Sequence, residues 1–191
     1  MTELKLIFIG NSLKAESLTN LESYLTNTNL ESFNFNLYMN SIGAEGAEML
    51  SNSLVKLNEK QQLKYLHVDL YFSNITETGT KSLTNAISQM NSLEELGLNL
   101  DFNYIKNEGA KDVGTMFKTM QKLKYINLGV ASKNFGYLGF KSLIDGLRTQ
   151  TELESLVLRC GVNRVGINGA EIVNGMLVSM PKLKELVIGF V

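Results

Sequence analysis

Across residues 93–120 the apolar positions follow two rhythms in succession. Leu96, Leu98 and Leu100 alternate with Gly97 and Asn99, the period of two expected of a strand with one buried face. After a polar turn, Ile105 precedes Asn107, Glu108 and Gly109, and then Val113, Phe117 and Met120 recur at four and three residues, the buried stripe of a short helix. Asn107 stands where a helix cap is expected, and Gly109 where close backbone approach or an unusual dihedral favours a residue without a side chain.

Near-copies of this unit fill the chain. The first, over 1–10, directs Leu4, Leu6 and Phe8 inward, and Leu13, Leu21 and Leu25 follow, with Ser17 where later units carry glycine. The second runs through Leu30, Phe33, Phe35, Leu37, Ile42, Gly46, Leu50, Leu54 and Leu57, and its extra residues are expected in the polar turn 58–62, where insertions cost little. The third has Leu63, Leu66, Val68, Leu70, Ile75, Gly79, Leu83, Ile87 and Met90. The fifth has Leu123, Ile126, Leu128, Val130, Phe135, Gly139, Leu143 and Leu147, with Gln150 in place of the last apolar helix residue, so its helix is expected to end early or fray. The sixth has Leu153, Leu156, Leu158, Cys160, Val165, Gly169, Val173, Leu177 and Met180. Leu183, Leu186, Ile188 and Phe190 then form a seventh strand. Strand, crossover and helix at a fixed period place successive strands side by side and parallel, with the helices on the other face. No unit can bury its own stripe, so stacking supplies the core, and 1–191 reads as one domain.

Composition narrows the function classes. A net charge of −1 leaves no electrostatic footprint for nucleic acid, and apolar runs such as 6–9 and 186–188 are far too short for membrane insertion. No signal peptide is evident, because the first residues already belong to a strand. A single cysteine excludes an internal disulfide and fits a reducing, cytoplasmic compartment.

The motif resembles the leucine-rich repeat family, in its ribonuclease-inhibitor-like class. The resemblance is carried by Ile42 with Gly46-Ala47, Ile105 with Gly109-Ala110, and Ile167 near Gly169-Ala170, behind a strand segment lengthened to the form LxxLxLxL seen in 93–100, with turn residue Asn103. The longer strand is similar to that of repeat proteins of ciliated protists. The resemblance implies an α/β leucine-rich repeat solenoid, a horseshoe with a parallel sheet of about seven strands on the concave face and about six helices on the convex face, used for protein binding. It also implies a cytoskeletal or ciliary assembly as one setting.

Strand alternation then makes the concave face readable. Tyr65, His67, Asp69 and Tyr71 are expected there from the third strand, and Glu95, Asn99 and Asp101 from the fourth. Asn34, Asn36 and Tyr38 flank them on one side and Tyr125 and Asn127 on the other, a polar surface with interleaved tyrosines suited to protein recognition. Farther on, Gly129, Val157, Val187, Gly189 and Val191 make the same face apolar around Arg159. An apolar patch beside a strand with one open edge is the second expected contact surface, for a protein partner or for further repeats of a longer array.

No catalytic constellation emerges. His67 is the only histidine, which leaves no histidine-based relay or metal cluster, and no metal, cofactor or small-molecule substrate is expected. Cys160 points inward as a small buried hydrophobe. Asp69 and Asp101 share a face but are expected at different strand positions two strands apart, which does not make an acid/base pair. The glycines recur at one repeat position and form no phosphate loop, and Met90, Met120 and Met180 read as core filling. The sequence thus points to a non-catalytic protein-binding module, a subunit of a larger complex. The alternatives are an enzyme regulator, an inhibitor or a GTPase activator in which Arg159 would act on the target, or one segment of a multidomain repeat protein.

Overall fold

The computed structural model describes residues 1–132, 134–163 and 165–190. Val191, expected in the C-terminal apolar patch, lies outside the described residues. Seven strands form one parallel sheet in chain order: β1 (Glu3–Ile7), β2 (Ser32–Asn36), β3 (Tyr65–Asp69), β4 (Glu95–Asn99), β5 (Tyr125–Gly129), β6 (Ser155–Arg159) and β7 (Glu185–Gly189). Each pairs with its neighbours without slippage, so that Leu66, Leu96, Ile126 and Leu156 form one lateral row. Between the strands run six helices, α1 (Leu21–Thr26), α2 (Gly43–Asn58), α3 (Glu77–Ile87), α4 (Lys106–Phe117), α5 (Tyr137–Leu147) and α6 (Gly166–Leu177), with a 3-10 turn at Ala15–Leu18 in the first repeat.

The apolar rhythm sets the core. Leu96, Leu98, Leu100, Ile105, Val113, Phe117 and Met120 are all buried, as are their counterparts in the neighbouring repeats. Helices are about 10 Å across whereas neighbouring strands are about 4.8 Å apart, so stacking such units bends the array with the strands inside. The face of the sheet turned away from the helices is therefore the concave one.

Beneath the turns that follow β2, β4 and β6 lie Asn40, Asn103 and Asn163, whose side-chain amides bond the backbone there. Asn103 is buried; its Nδ2 donates to the carbonyls of Leu70 at 2.7 Å and Leu100 at 3.1 Å, and its Oδ1 accepts from the N–H groups of Ser73 at 3.0 Å and Ile75 at 2.9 Å. Asn40 does the same for the first and second repeats, donating to Phe8 and Leu37 and accepting from Asn11 and Leu13. One amide thus satisfies the backbone groups that two successive turns would otherwise bury unpaired.

The repeats alternate in kind. The second, fourth and sixth begin Leu-Glu and the third, fifth and seventh begin Leu-Lys, which pairs Glu31 with Lys64 at 3.2 Å, Glu94 with Lys124 at 2.7 Å and Glu154 with Lys184 at 2.7 Å along the N-terminal edge of the sheet. The hydrogen bond from Lys124 pulls the Glu94 carboxyl below its ordinary value. The backbone alternates too. At the helix entrances Gly43, Lys106 and Gly166 are left-handed, with φ of +64°, +51° and +64°, while Thr76 and Gly136 are extended.

Three local expectations change. Asn107 does not cap α4: it sits in the first turn of that helix, and its Oδ1 accepts from the N–H groups of Gly136 at 3.0 Å and Gly139 at 3.2 Å, capping α5 in the next repeat. Gln150 does not fray α5, which ends at Leu147 in register with Phe117 of α4. The side chain is buried because its Nε2 donates to the Phe117 carbonyl at 2.5 Å. The turn expected over 58–62 begins later, because α2 runs through Leu57 to Asn58. At the two ends of the sheet burial is partial: Phe8, Leu186 and Phe190 are exposed although their positions point inward.

Candidate functional site

The side chains of the open face stand in lateral rows fixed by the strand register. One row holds Asn34, His67, Gly97, Asn127 and Val157, and the next holds Asn36, Asp69, Asn99, Gly129 and Arg159. Glycines interrupt both rows, and long neighbours lie down in the gaps. The ring of His67 covers Gly97, where a Cβ would fall onto Nδ1, and its Nε2 is 2.7 Å from Glu95 Oε1. Arg159 crosses Gly129, with Nε donating to Asp101 Oδ2 at 3.1 Å and Nη1 to Asn127 Oδ1 at 2.6 Å.

Between these two arches the face dips into a shallow pit of about 160 Å³, bordered by Asn34, Asn36, His67, Asp69, Asn99 and Arg159. The end of each strand is stitched by a side chain that accepts the N–H two residues on: Asn36 from Tyr38 at 2.9 Å, Asp69 from Tyr71 at 3.0 Å and Asn99 from Asp101 at 3.0 Å. Gly129 cannot do this, and Asp101 replaces it by accepting from the Ala131 N–H at 2.7 Å. Burial pushes the Asp69 carboxyl up, against the opposing pull of the Tyr71 N–H and of Arg159. Among the described residues no cation lies within ion-pair distance of Asp69.

Of the residues expected on this face, Tyr65, Tyr125 and Asn127 are exposed, and Tyr38, His67, Asp69, Tyr71, Asn99 and Arg159 are half-buried. Asp101 is different. Alternation places it outward, yet it is only 5 % exposed, sealed under Arg159 and consumed by two internal partners. It also belongs to the repeat next to that of Asp69, so the two carboxylates are neighbours across the sheet, with Asp101 two residues beyond the register partner of Asp69. In the C-terminal patch Val157 is half-buried and Val187 is 51 % exposed, whereas Gly129 is covered. The thiol of Cys160 is buried, its hydrogen bond goes to the Gly189 carbonyl at 3.3 Å, and burial pushes its pKa up to about 12, which holds it protonated. No group of three or more His, Cys, Asp or Glu among the described residues is placed to hold a metal ion, and none of their helices is long and apolar enough to cross a membrane.

Periodicity alone does not single out the rim of this face. Tyr38 and Tyr71 stack with ring centroids 4.3 Å apart and planes 8° from parallel, and Phe102 leans on Tyr71 at 5.1 Å. In the first, second, third, fourth and sixth repeats the rim residue itself is in left-handed backbone. Gly10 fills this position in the first repeat with φ of +64°; Met39, Phe72, Phe102 and Val162 fill it later, at +53°, +48°, +58° and +56°. A scan of the chain against protein-family models finds no match, and a search of curated protein sequences finds none either.

Proposed function

We propose that the chain is a non-enzymatic protein-binding module, a leucine-rich repeat unit working as a subunit of a larger protein assembly, with the open face of the sheet as its contact surface. One observation carries the reading: an exposed face of tyrosine and amide side chains is mounted on a sheet in which β2 to β6 are each hydrogen-bonded on both sides. Such a platform presents rigid aromatic anchors with little entropy left to lose on binding. The alternative role, an arginine supplied to the active site of another protein, fits less well, because Asp101 and Asn127 already hold the Arg159 guanidinium. The resemblance to ciliate repeat proteins makes a cytoplasmic, cytoskeletal or ciliary assembly the setting to search first.

The test is capture from native lysate with the wild-type chain, with Tyr65→Ala/Tyr125→Ala on the open face, and with Lys111→Ala on the helix face. The reading expects a protein retained by the first and third and lost by the second. Equal retention by all three would place the contact elsewhere.

A further inference from the structure

The rim position is costly in two ways at once. Left-handed backbone suits glycine, and bulky or β-branched residues adopt it only where the surrounding structure imposes it. Here the imposition is visible: the N–H groups of Met39, Phe72 and Phe102 donate to the carbonyls of Tyr71, Asp101 and Ala131 at 2.8, 3.0 and 2.6 Å, extending the sheet's ladder beyond the strands. These side chains are nevertheless exposed, Met39 by 49 %, Phe72 by 55 %, Phe102 by 43 % and Val162 by 37 %, and the aromatic contact within the row's surroundings is that of Phe102 with Tyr71. Gly10 meets the same backbone demand without either cost.

Resting on the protein-binding reading above, we propose that the rim row of Met39, Phe72 and Phe102, with Asp69 beside it, is a docking surface for a basic amphipathic helix of a partner protein. Row members lie one strand apart, about 4.8 Å, and a helix advances 5.4 Å per turn, so an apolar stripe at i, i+3/i+4 and i+7 stays in step with all three. An extended peptide repeats its side chains at about 6.6 Å and loses step by the third. It also finds no free edge, because β2, β3 and β4 are paired on both sides.

The basic character follows from charge complementarity. Glu95 and Asp101 already have ion-pair partners, whereas Asp69, which accepts the Tyr71 N–H, has no cation within ion-pair distance among the described residues and stands three residues before Phe72 of the rim. Half-buried and without a cation, it is the carboxylate on this face that gains most from an incoming Lys or Arg. The Tyr38–Tyr71 stack beside it offers the same cation a π-face. An anionic membrane would instead bring its charge against Asp69.

The test is fluorescence anisotropy of the full chain with a labelled synthetic amphipathic helix of about 18 residues, a leucine stripe on a lysine face, beside the same peptide with glutamate for lysine. Phe72→Gly/Phe102→Gly suits the left-handed backbone, so the double variant keeps the fold while removing both rings, including the one that leans on Tyr71. The expected result is binding of the lysine helix, weakened about tenfold or more by that variant, unchanged by Leu138→Ser on the exposed surface of α5, and lost as a preference over the glutamate helix in Asp69→Asn. Equal binding by the glycine variant, equal binding of the glutamate helix by the wild-type chain, or sedimentation with phosphatidylserine vesicles in preference to the lysine helix would overturn it. If the lysine helix fails while Tyr65→Ala/Tyr125→Ala still loses a captured partner, this docking surface falls and the module reading stands; if both fail, both fall.

Discussion

Arg159 lies across Gly129 to reach Asp101, 58 residues earlier in the chain, closing an arch from β6 over β5 to the turn after β4. The arch exists because position 129 has no side chain: a Cβ there would stand 2.6 Å from Asn99 Oδ1, 2.7 Å from Arg159 Nη2 and 2.7 Å from Asp101 Oδ2. Gly129→Ala should therefore expel the guanidinium and uncover Asp101, lowering unfolding free energy by about 1–3 kcal/mol. Gly189 holds the matching position in β7 with open space around it, so Gly189→Ala should stay within about 0.5 kcal/mol in the same urea titration.

In the helix layer, a Cβ on Gly146 of α5 would fall on the carbonyl oxygen of Gly114 in α4, and one on Gly114 would fall on the carbonyl of Ser142. Glycine to alanine inside a helix ordinarily stabilises by up to about 1 kcal/mol. Here the sign should reverse. Gly146→Ala forces two backbones apart and is expected to cost about 2–3 kcal/mol, read as a lower midpoint in chemical denaturation.

Asn103→Ala removes the amide that serves two turns and leaves buried carbonyls and N–H groups without partners. A loss of at least about 3 kcal/mol is expected, measured by urea denaturation.

The strand and helix positions are legible in the chain because burial in a repeat array is itself periodic, so Leu96 to Met120 could be read from spacing alone. What periodicity misses is any side chain whose role is decided a repeat or more away. Asn107 has the right place to cap its own helix, and its acceptor instead serves Gly136 and Gly139. Asp101 has outward parity, and only Arg159 folding over it makes it buried. Gln150 breaks the apolar stripe but finds the Phe117 carbonyl. The rim row carried a readable signal of another kind: Gly10 stands in register with Met39, Phe72, Phe102 and Val162, so a glycine position is filled by bulky residues. The alternation of Leu-Glu with Leu-Lys is likewise plain once successive units are aligned.

The rim predicts an exchange of stability against binding. Phe72→Gly and Phe102→Gly each relieve left-handed strain of about 1–2 kcal/mol and add back about 0.5–1 kcal/mol of unfolded-chain entropy. Phe72→Gly should thus be more stable than wild type by up to about 1.5 kcal/mol, an unusual sign for deleting a phenylalanine, whereas Phe102→Gly also gives up its contact with Tyr71 and should gain less. Thermal and urea unfolding would show it.

Asp69 gives a pH signature. Burial raises its carboxyl in the folded state, so the fold binds that proton more tightly than the unfolded chain does. Its contribution is therefore favourable below the ordinary carboxylate pKa and is lost as pH rises through the raised folded value. Asp69→Asn keeps an oxygen to accept the Tyr71 N–H, as Asn36 and Asn99 do for their own turns. The variant should match wild type in acid and exceed it at neutral pH, in unfolding free energies compared from pH 3 upward.

The most direct test of the binding face is a photo-crosslinking residue placed in turn at positions 65, 72, 125 and 111, with the chain exposed to native lysate. Crosslinks to one shared partner from the sheet positions, and none from 111 on the helix face, are the predicted result. Crosslinks from 111 with none from 65, 72 and 125 would contradict the account, since the partner would then be reading the helices rather than the sheet.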